Sequence, residues 1–544
     1  MNTYKRRVIP LLFAPLFLVG ACTSTATQEQ QTDTTETMEN DNQKIITILH
    51  TNDMHGSYMP FHAVTDNATA QTGDSGRDQL LNFKKEADVG GFAFVASAIR
   101  KVRADKGAEN VLLLDGGDTF SDDQLGNLTK GEAMIRLMSM VNYDLMALGN
   151  HDFDYGLQRT RELEELSNFP MRAANIIDNK TGKTIFGEPY IIKEMGDVKV
   201  AVIALSYRNT PKTGNPDNVK ELTFSEGQQA VQKYMPELRA KADIIVVLSH
   251  EGTAIDYKMA QEVEGIDVII GAHSHDIIEP RKKFGNTYVV QAMSDAAVLG
   301  DTELILEGKK LVDVKDNYHF LWHDEWQADE DVQALVDELR APHKAKLEEV
   351  VVQSKDVIGR QYKSESPFDR LVGNLMNEGY NGDVAIMPGV GYGISFTPGP
   401  ITSEQVYKLL PHPSKIVTLS MTGAQLKKTL EQSATNLKPE DPMKVVGGLI
   451  QTSGIQYDMD FTKSVGQRVS NVRVGNQPIS DSKTYKVVTH NGLLTGLHNY
   501  VEIGKGQNIK RTEKSLTEFI IEKLKEKKEV GMPENMGEAN VKRK

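Results

Sequence analysis

The sequence has 544 residues, of which 39% are apolar and 25% charged, and a formal net charge of −13 at pH 7. This length exceeds one ordinary domain core and predicts two large domains. The negative charge excludes recognition of duplex nucleic acid through a broad basic surface, because such a surface has to attract phosphates. It does not exclude a small anionic substrate, since bound divalent cations reverse the local sign of charge.

The first 21 residues have the pattern of a secretory signal peptide, with basic residues followed by an apolar run over residues 8–21. The run ends in LVGAC, which resembles a bacterial lipobox and predicts lipidation of Cys22. The alternative is an unmodified thiol in an ordinary signal segment. Since the chain has 1 cysteine, an internal disulfide and a cysteine-based zinc site are excluded. We expect an extracytoplasmic protein that a lipid anchors to a bacterial membrane.

The remaining chain divides by composition. Residues 22–43 hold almost no apolar side chain and predict a disordered tether, because too little surface can be buried to offset the entropy of ordering. We expect an N-terminal α/β domain over 44–326, a charged linker helix over 327–350, a smaller α/β domain over 351–528 and a solvated tail over 529–544. The linker helix should be broken near Pro342.

In the N-terminal domain, strand-like apolar runs are followed at once by polar side chains. The runs lead into HTNDMHG at residue 50, DGGD at 115, GNHDFD at 149, SHEG at 249 and GAHSH at 271. In α/β sheets, functional side chains collect beyond the carboxyl ends of the strands. The pattern therefore predicts one shared site, assembled from residues that lie far apart in the chain.

Metal binding is the chemistry that these segments share. The candidate ligands are Asp53, His55, Asp118, Asn150, His250, His273 and His275. Imidazole together with carboxylate favours zinc, manganese or iron over magnesium or calcium. A single histidine is more often structural than a ligand. However, six of the 13 histidines fall in four of these short segments, which neither core nor surface composition predicts.

The segments ILHTNDMHG, LLLDGGDTF, YDLMALGNHDFDYG, IIVVLSHEG and IDVIIGAHSH resemble, in order and spacing, the calcineurin-like metallophosphoesterases of the 5′-nucleotidase and UDP-sugar hydrolase family. The resemblance implies a four-layer α-β-β-α sandwich with two divalent metal ions. It implies that Asp118 bridges both ions, that Asp53, His55 and His275 complete one site, and that Asn150, His250 and His273 complete the other. His151 and Asp154 correspond to the catalytic dyad of the family, with Asp152 as a supporting residue.

The segments GNLMNEGY, ITSEQVYKLLP, VTLSMTGAQLKKTLEQS and YKVVTHNGLLTG resemble the substrate-recognition domain of the same family. Two arginines of its nucleotide hydrolases have no counterpart, since Ser366 stands at one position and residues 388–393 lack the other. Arg360 and Arg370 are the nearby candidates for binding phosphate instead. His412 and Tyr500 are candidates for stacking on a base. The alternative for Tyr500 is a packing residue between the domains.

These observations predict a hydrolase of small phosphate esters that uses a metal-activated water and a His-Asp dyad. The resemblance makes a 5′-nucleotidase-like nucleotide phosphatase the leading hypothesis. The alternatives are a phosphodiesterase, a UDP-sugar hydrolase or a phosphatase with a non-nucleotide substrate. From a different class, the chain could be a lipoprotein that holds metal without catalysis. The dyad argues against that hypothesis, because a binding module has no evident need for His151 and Asp154 together.

Overall fold

The computed structural model describes residues 43–65, 83, 85–121, 123–390, 394–441 and 444–543. The predicted signal peptide, Cys22 and the predicted tether as far as residue 42 lie outside the described residues. None of the helices within the described ranges is long and apolar enough to cross a membrane.

The N-terminal domain alternates strands and helices. Its strands are β1 Gln43–Thr51, β2 Phe61–Ala63, β3 Ala87–Val89, β4 Val111–Asp115, β5 Leu145–Ala147, β6 Met171–Arg172, β7 Ile176–Asp178, β8 Tyr190–Met195, β9 Val198–Leu205, β10 Leu222–Phe224, β11 Ile244–Ser249, β12 Val268–Gly271, β13 Lys282–Phe284, β14 Thr287–Val290, β15 Val298–Glu307 and β16 Lys310–Phe320. Its helices are α1 Phe92–Lys106, α2 Gln124–Thr129, α3 Glu132–Met140, α4 Leu157–Leu166, α5 Thr210–Thr213, α6 Gly227–Lys241 and α7 Thr253–Glu262. Short 3₁₀ turns lie at Ala108–Asn110, His151–Phe153 and Pro216–Asn218.

Within the described residues, most of these strands belong to two 6-stranded sheets. One sheet has the order β16-β15-β1-β4-β5-β6, and the other has the order β13-β14-β12-β11-β9-β8. The strands β1, β4, β5 and β6 are parallel to one another, as are β9, β11, β12 and β14. Parallel strands are covered on both faces, which explains why their sequences are continuous apolar runs and do not alternate with polar residues.

The two sheets pack face to face around a shared core that includes Ile46, Leu112, Val202, Val246 and Ile270. Helices α1 and α3 cover the outer face of the first sheet, and helices α6 and α7 cover the outer face of the second. Burying one such aliphatic side chain contributes about 1.5–3 kcal/mol, so the shared core holds the two sheets together. The predicted four-layer α-β-β-α sandwich is confirmed.

Two helices occupy the segment that was predicted as a linker, α8 Glu330–Arg340 and α9 Lys344–Leu347. Pro342 lies in the break between them and has no amide hydrogen with which to continue the helical hydrogen bonds. Helix α8 packs Val332 and Val336 into the core on the outer side of the first sheet. The linker is thereby fixed to the N-terminal domain.

The C-terminal domain is a smaller α/β unit. Its strands are β17 Val350–Ser354, β18 Val384–Met387, β19 Gly399–Thr402, β20 Lys415–Thr422, β21 Gln451–Ser453, β22 Ile455–Asp460, β23 Val469–Val474, β24 Gln477–Pro478, β25 Thr484–His490, β26 Gln507–Ser515, β27 Glu529–Val530 and β28 Ala539–Lys542. Its helices are α10 Pro367–Tyr380, α11 Ser403–Leu409, α12 Gly423–Leu437, α13 Asn491–Leu494 and α14 Leu516–Lys525, with 3₁₀ turns at Leu497–Asn499 and Ile503–Lys505. The central sheet has the order β21-β18-β25-β20-β26.

The last residues of the chain differ from the prediction of a solvated tail. Strand β27 pairs in parallel with β17, and β28 pairs in parallel with β22. Glu538, just before β28, forms an ion pair with Arg370, whose side chain is 1% exposed. The charged composition of the segment concealed this contact, because a single buried partner can fix a carboxylate that otherwise favours solvent.

Candidate active site

The structure brings the predicted metal ligands to one edge of the sandwich. Asp53 and His55 follow β1, Asp118 follows β4, Asn150 follows β5, His250 follows β11, and His273 and His275 follow β12. The carboxyl ends of parallel strands lie at the same edge of each sheet, and here the two edges meet. This location is the one that the strand-end pattern predicts.

Most of these residues have a backbone conformation that is uncommon outside glycine. The φ angle is 49° at Asp53, 47° at His55, 54° at Asp118, 72° at His273 and 57° at His275. Each such angle costs about 1–3 kcal/mol and persists only where surrounding contacts hold it. Here, the backbone amides of Asp53 and His55 each donate to carbonyl oxygens of the loop after β4, at 2.9 Å. The strain is concentrated where the predicted ligands converge.

Glycines allow the loops after β4 and β5 to approach each other. A β-carbon at Gly149 would lie 2.1 Å from Oδ1 of Asp118, and one at Gly117 would lie 2.5 Å from the backbone nitrogen of Gly149. Both distances are far below van der Waals contact. The missing side chains therefore let two ligand-bearing loops pack backbone against backbone.

Asp53, His55 and His275 form one group whose ligand atoms all lie within 4.8 Å of one another. Nε2 of His55 lies 3.1 Å from Nε2 of His275, which in turn lies 3.5 Å from Oδ1 of Asp53. All three side chains are buried. This composition of two imidazoles and one carboxylate suits zinc, manganese or iron.

Asp118, His250 and His273 form a second group of the same kind. Nδ1 of His250 lies 2.7 Å from the carbonyl oxygen of Gly116, which can only accept a hydrogen bond. Nδ1 therefore carries a proton, and Nε2, which would have to lose its proton to bind a metal ion, faces Oδ2 of Asp118 at 3.0 Å. Oδ1 of Asp53 is 3.9 Å from the same nitrogen. A cation between these atoms would be attracted to all of them. A metal-binding histidine usually donates its other ring N–H to a carbonyl or carboxylate, as His250 does here.

The pKa values of His250, Asp118 and Asp53 also indicate that positive charge at this site would be stabilised. Burial lowers the pKa of His250, but the Asp118 and Asp53 carboxylates outweigh burial and raise that pKa to about 10. Burial raises the pKa of Asp118, but the imidazoles of His250 and His151 outweigh it and bring the pKa below its usual value. Burial raises the pKa of Asp53 to about 7. A divalent cation would favour both carboxylates in their charged forms.

Oδ1 of Asn150 and Nδ1 of His273 are among the buried polar atoms of predicted ligands that lack a hydrogen-bond partner within the described residues. An unpaired buried polar atom costs about 1–3 kcal/mol. Unpaired atoms beside two clusters of imidazole and carboxylate indicate ligation, because a bound cation or its water shell would satisfy them. The residues therefore fit two divalent metal ions.

The predicted catalytic dyad lies beside the first ligand group. Nδ1 of His151 is 2.9 Å from Oδ2 of Asp154, and the ring centroid of His151 is 5.7 Å from that of His55. The backbone amide of His151 donates to Oδ1 of Asp118 at 2.7 Å. The carboxylate of Asp154 therefore fixes which nitrogen of His151 carries a proton, and the backbone ties the dyad to the ligands.

Asp152 has a different role from Asp154. Its carboxylate accepts from the backbone amides of Asp118 and Thr119, both at 3.0 Å, and from that of Gly149 at 2.7 Å. These bonds link the loops after β4 and β5. Asp152 thus lies where a supporting residue is expected, and its contacts are with backbone amides of the two loops.

A cavity of about 940 Å³ lies between the two domains and is lined by members of both ligand groups, His55 and His275 of the first and Asp118 and His273 of the second. Its N-terminal wall carries His55, Asp118 and His151, and its C-terminal wall carries His412 and His498. The volume is within the usual range for a small-molecule site. The described part of the chain from residue 43 onward belongs to one compact unit, so the two domains that form the cavity pack against each other.

The structure corrects the predicted role of Tyr500. Its ring is 1% exposed, packs in the core of the C-terminal domain and does not line the cavity. A base cannot stack on a ring that is fully covered, so the predicted stacking between His412 and Tyr500 is wrong. Tyr500 is a packing residue within the C-terminal domain. Tyr362, which the sequence did not single out, contributes an aromatic ring to the cavity wall.

The two candidate arginines are bound within the C-terminal domain. Nε and Nη2 of Arg360 lie 3.1 Å and 2.9 Å from the carboxylate oxygens of Asp369, and Arg370 pairs with Glu365 and Glu538. Ser366 caps helix α10, accepting from the backbone amide of Asp369 at 3.1 Å. Arg370 faces two carboxylates and does not line the cavity, so the expectation that it binds a phosphate is wrong. Arg360 lines the cavity, and its binding of a phosphate stays a prediction, although its Nε and Nη2 already face Asp369.

Two further residues contact the predicted ligands and were missed in the sequence. Tyr207 stacks on His273 with ring centroids 3.8 Å apart, and Nδ2 of Asn52 donates to Oδ2 of Asp53 at 2.7 Å. Tyr207 lies just beyond β9, a strand of the same sheet as β11 and β12. The strand-end rule could have found it, but its ring carries no obvious ligand chemistry.

Comparison with known proteins agrees with this geometry. The calcineurin-like phosphoesterase family matches residues 46–276, and the 5′-nucleotidase C-terminal domain family matches residues 348–503. The 5′-nucleotidase of Vibrio vulnificus (strain CMCP6) is 28% identical over 92% of this chain and 94% of its own length. Protein UshA of Yersinia enterocolitica is 28% identical over 86% of this chain and 88% of its own length.

Solved structures agree as well. The 5′-nucleotidase precursor from Thermus thermophilus superposes with a TM-score of 0.81 at 26% identity, covering 92% of this chain and 100% of that one. The sulfate thiohydrolase SoxB of Thermus thermophilus has a TM-score of 0.82 at 24% identity, covering 91% and 96%, a likeness that shows the fold alone. The chain therefore belongs to the calcineurin-like metallophosphoesterases of the 5′-nucleotidase and UDP-sugar hydrolase family, and it is a phosphoric ester hydrolase that depends on two divalent metal ions.

Proposed function

We propose that the chain is a 5′-nucleotidase-like phosphatase that removes the phosphate from an extracytoplasmic nucleotide. The observation that carries this proposal is the placement of two buried ligand groups beside a His-Asp dyad on one wall of the interdomain cavity. Relatives named 5′-nucleotidase align over nearly the whole chain, which supports a nucleotide as substrate.

The proposed metal ligands are the seven residues predicted from the sequence, with Asp118 bridging. When bound there, the two cations would lower the pKa of a water molecule and stabilise charge on the phosphoryl oxygens. The protein itself orients the proposed proton donor, His151. Asp154 holds the proton of His151 on Nδ1, so Nε2 is the atom that can give a proton to the leaving oxygen once the ring is protonated. Asp152 keeps the loop of His151 against the loop of Asp118.

A phosphatase with a non-nucleotide substrate is the second candidate. It is favoured by the burial of Tyr500 in the core of the C-terminal domain and by the carboxylates that face Arg360 and Arg370. Part of the C-terminal wall is apolar, with Leu410, Val445 and Leu497. Such a wall suits an uncharged leaving group, whether a nucleoside or another alcohol, better than one that carries a second phosphate, because a buried charge without a partner is costly.

The experiment is a substrate panel with the purified protein loaded with manganese or zinc. It compares AMP, ADP, a cyclic nucleotide, a UDP-sugar and non-nucleotide phosphomonoesters by release of phosphate or product. We expect the highest kcat/KM with AMP. A higher value with a non-nucleotide ester would select the second candidate. Preference for the cyclic nucleotide or the UDP-sugar would show a phosphodiesterase or a sugar-nucleotide hydrolase.

The proposed location is extracytoplasmic, with Cys22 carrying the lipid anchor. The support is the signal pattern of residues 1–21 and the LVGAC sequence. Labelling of cells with a fatty-acid analogue should mark the wild-type protein and not Cys22→Ser. Equal labelling of the two proteins would contradict the assignment.

A further inference from the structure

Asp154 faces an imidazole from each domain. Nδ1 of His151 lies 2.9 Å from Oδ2 of Asp154, and Nδ1 of His412 lies 3.4 Å from the same oxygen. The two rings are stacked, with planes 12° apart and centroids 5.1 Å apart. One carboxylate oxygen has two lone pairs and can accept from both nitrogens. The C-terminal domain therefore places a histidine directly on the dyad.

The N-terminal domain holds the loop of His412 through Asn127. Nδ2 of Asn127 donates to the carbonyl oxygen of Pro411 at 2.7 Å, and the hydroxyl of Tyr155 donates to Oδ1 of Asn127 at 3.1 Å. Pro411 precedes His412, and Tyr155 follows Asp154. Asn127 thus links the two chain segments that meet at the dyad.

The same loop is fixed to the C-terminal domain. The hydroxyl of Thr517 donates to the carbonyl oxygen of Leu410 at 2.6 Å. The backbone amide of Leu516 donates to the carbonyl oxygen of Ser414 at 2.8 Å. These bonds tie both sides of His412 to the start of helix α14. The imidazole accordingly follows any movement of the C-terminal domain.

The three side chains also satisfy the spacing of a metal site, since their ligand atoms lie within 4.8 Å of one another. The hydrogen bond of His151 argues against that use. Nδ1 of His151 carries the proton that it donates to Oδ2 of Asp154 at 2.9 Å, so this nitrogen has no lone pair for an ion.

We propose that His412 is a positioning residue through which the C-terminal domain acts on the dyad. His412 bonds to Asp154, restrains rotation of that carboxylate and so fixes the imidazole of His151. The 3.4 Å separation is long for a hydrogen bond, but such contacts in catalytic sites tighten when substrate binds. The proposal rests on the proposed function, because it requires His151 and Asp154 to act as the dyad. It makes turnover dependent on docking of the two domains.

The test uses two substitutions that separate the ring from its nitrogen. His412→Phe keeps a stacking ring and removes the donor, whereas His412→Asn keeps a donor near the position of Nδ1. We expect His412→Phe to lower kcat about tenfold to a hundredfold with little change in KM, since a hydrogen bond to a charged group has that worth. His412→Asn should retain most of kcat. Metal content and melting temperature should stay at wild-type values in both variants.

A double-mutant cycle with Asp154→Asn identifies the route of the effect. If His412 acts through Asp154, adding His412→Phe to Asp154→Asn should change kcat by less than about twofold, because interacting residues are not additive. Additive losses, or a loss confined to KM, would overturn the proposal and make His412 a substrate contact. Full activity of His412→Phe would overturn it too. Full activity of Asp154→Asn alone would refute the dyad and thus the proposed function, a result that the cycle reports separately.

His62→Phe is the matched control. Nδ1 of His62 lies 2.9 Å from a carboxylate oxygen of Asp88, and the two side chains are 48% and 61% exposed. It is the same substitution in a His-Asp pair outside the active-site cavity. We expect its kcat and KM to match those of the wild-type protein.

Discussion

At the scale of single residues, His151 combines two contacts that separate metal binding from catalysis. Its side chain bonds to Asp154, whereas its backbone amide bonds to Asp118. A change of side chain therefore removes the first contact and leaves the second, so the loop that carries Asn150 should keep its place. This division makes the residue suitable for testing the dyad without disturbing the ligands.

We predict that His151→Ala lowers kcat by about a factor of 10² to 10⁴, the usual contribution of a general acid or base. Metal content should stay near that of the wild-type protein, because the seven proposed ligands are unchanged. Steady-state kinetics and elemental analysis of the same preparation measure both quantities. Wild-type turnover in the variant would refute the dyad, and loss of both ions would show that His151 serves the metal site.

Residue type and strand-end position were enough to predict which side chains converge at this edge, because carboxylates and imidazoles carry their ligand chemistry wherever the chain places them. Their strained backbone could not be predicted. The φ of Asp53 depends on a hydrogen bond to the carbonyl of Gly117, which belongs to a distant loop. Tyr500 was mispredicted for a similar reason. His498 and Asn499 both have left-handed φ angles, 51° and 64°, and they turn the chain so that the following ring enters the core.

At the scale of secondary structure, continuous apolar runs predicted the parallel strands and periodic runs predicted the helices that cover them. The C-terminal segment after residue 528 was mispredicted because β27 and β28 are short and polar. Their pairing depends on neighbours that are remote in sequence, with Glu529 opposite Gln353 and Ala539 opposite Tyr457. The local composition of a segment cannot predict strand partners that are remote in sequence.

We predict that deletion of residues 529–544 destabilises the C-terminal domain. The deletion removes β27, β28 and the Glu538 partner of the buried Arg370, and truncating one partner of a buried ion pair costs about 3–5 kcal/mol. Arg370 keeps Glu365, so we expect a loss of about 1–3 kcal/mol, measured by urea unfolding.

Glu538→Gln isolates the charge and should reproduce part of that loss. Lys542→Ala, at a side chain that is 65% exposed, is the control and should leave stability unchanged. Unchanged stability of the deleted protein would mean that these strands do not support the fold.

At the scale of the whole molecule, the proposed ligands come from both sheets, which also pack through a shared apolar core and polar contacts such as the ion pair of Lys193 with Asp144. Asp53, His55, Asp118 and Asn150 follow strands of the first sheet, and His250, His273 and His275 follow strands of the second. The second domain reaches the same edge through other contacts. Glu404 of α11 accepts from the hydroxyl of Tyr58 at 2.5 Å and pairs with Arg340 of α8. The metal site and the domain contact are therefore separate sources of stability.

We predict that removing metal with a chelator lowers the melting temperature of the N-terminal domain more than that of the C-terminal domain. A ligand at 1,000 times its Kd stabilises the folded state by about 4 kcal/mol, and the proposed ligands all lie in the N-terminal domain. Calorimetry should show an N-terminal unfolding transition whose midpoint temperature falls on chelation and recovers when manganese or zinc is added.

Asp118→Ala, which removes the proposed bridging ligand, should melt at the same temperature as the chelated wild-type protein and show no response to added metal. If the melting temperatures of the wild-type protein change neither with chelator nor with added metal, a structural contribution of the ions is refuted. A metal-dependent shift that persists in Asp118→Ala would refute its bridging role.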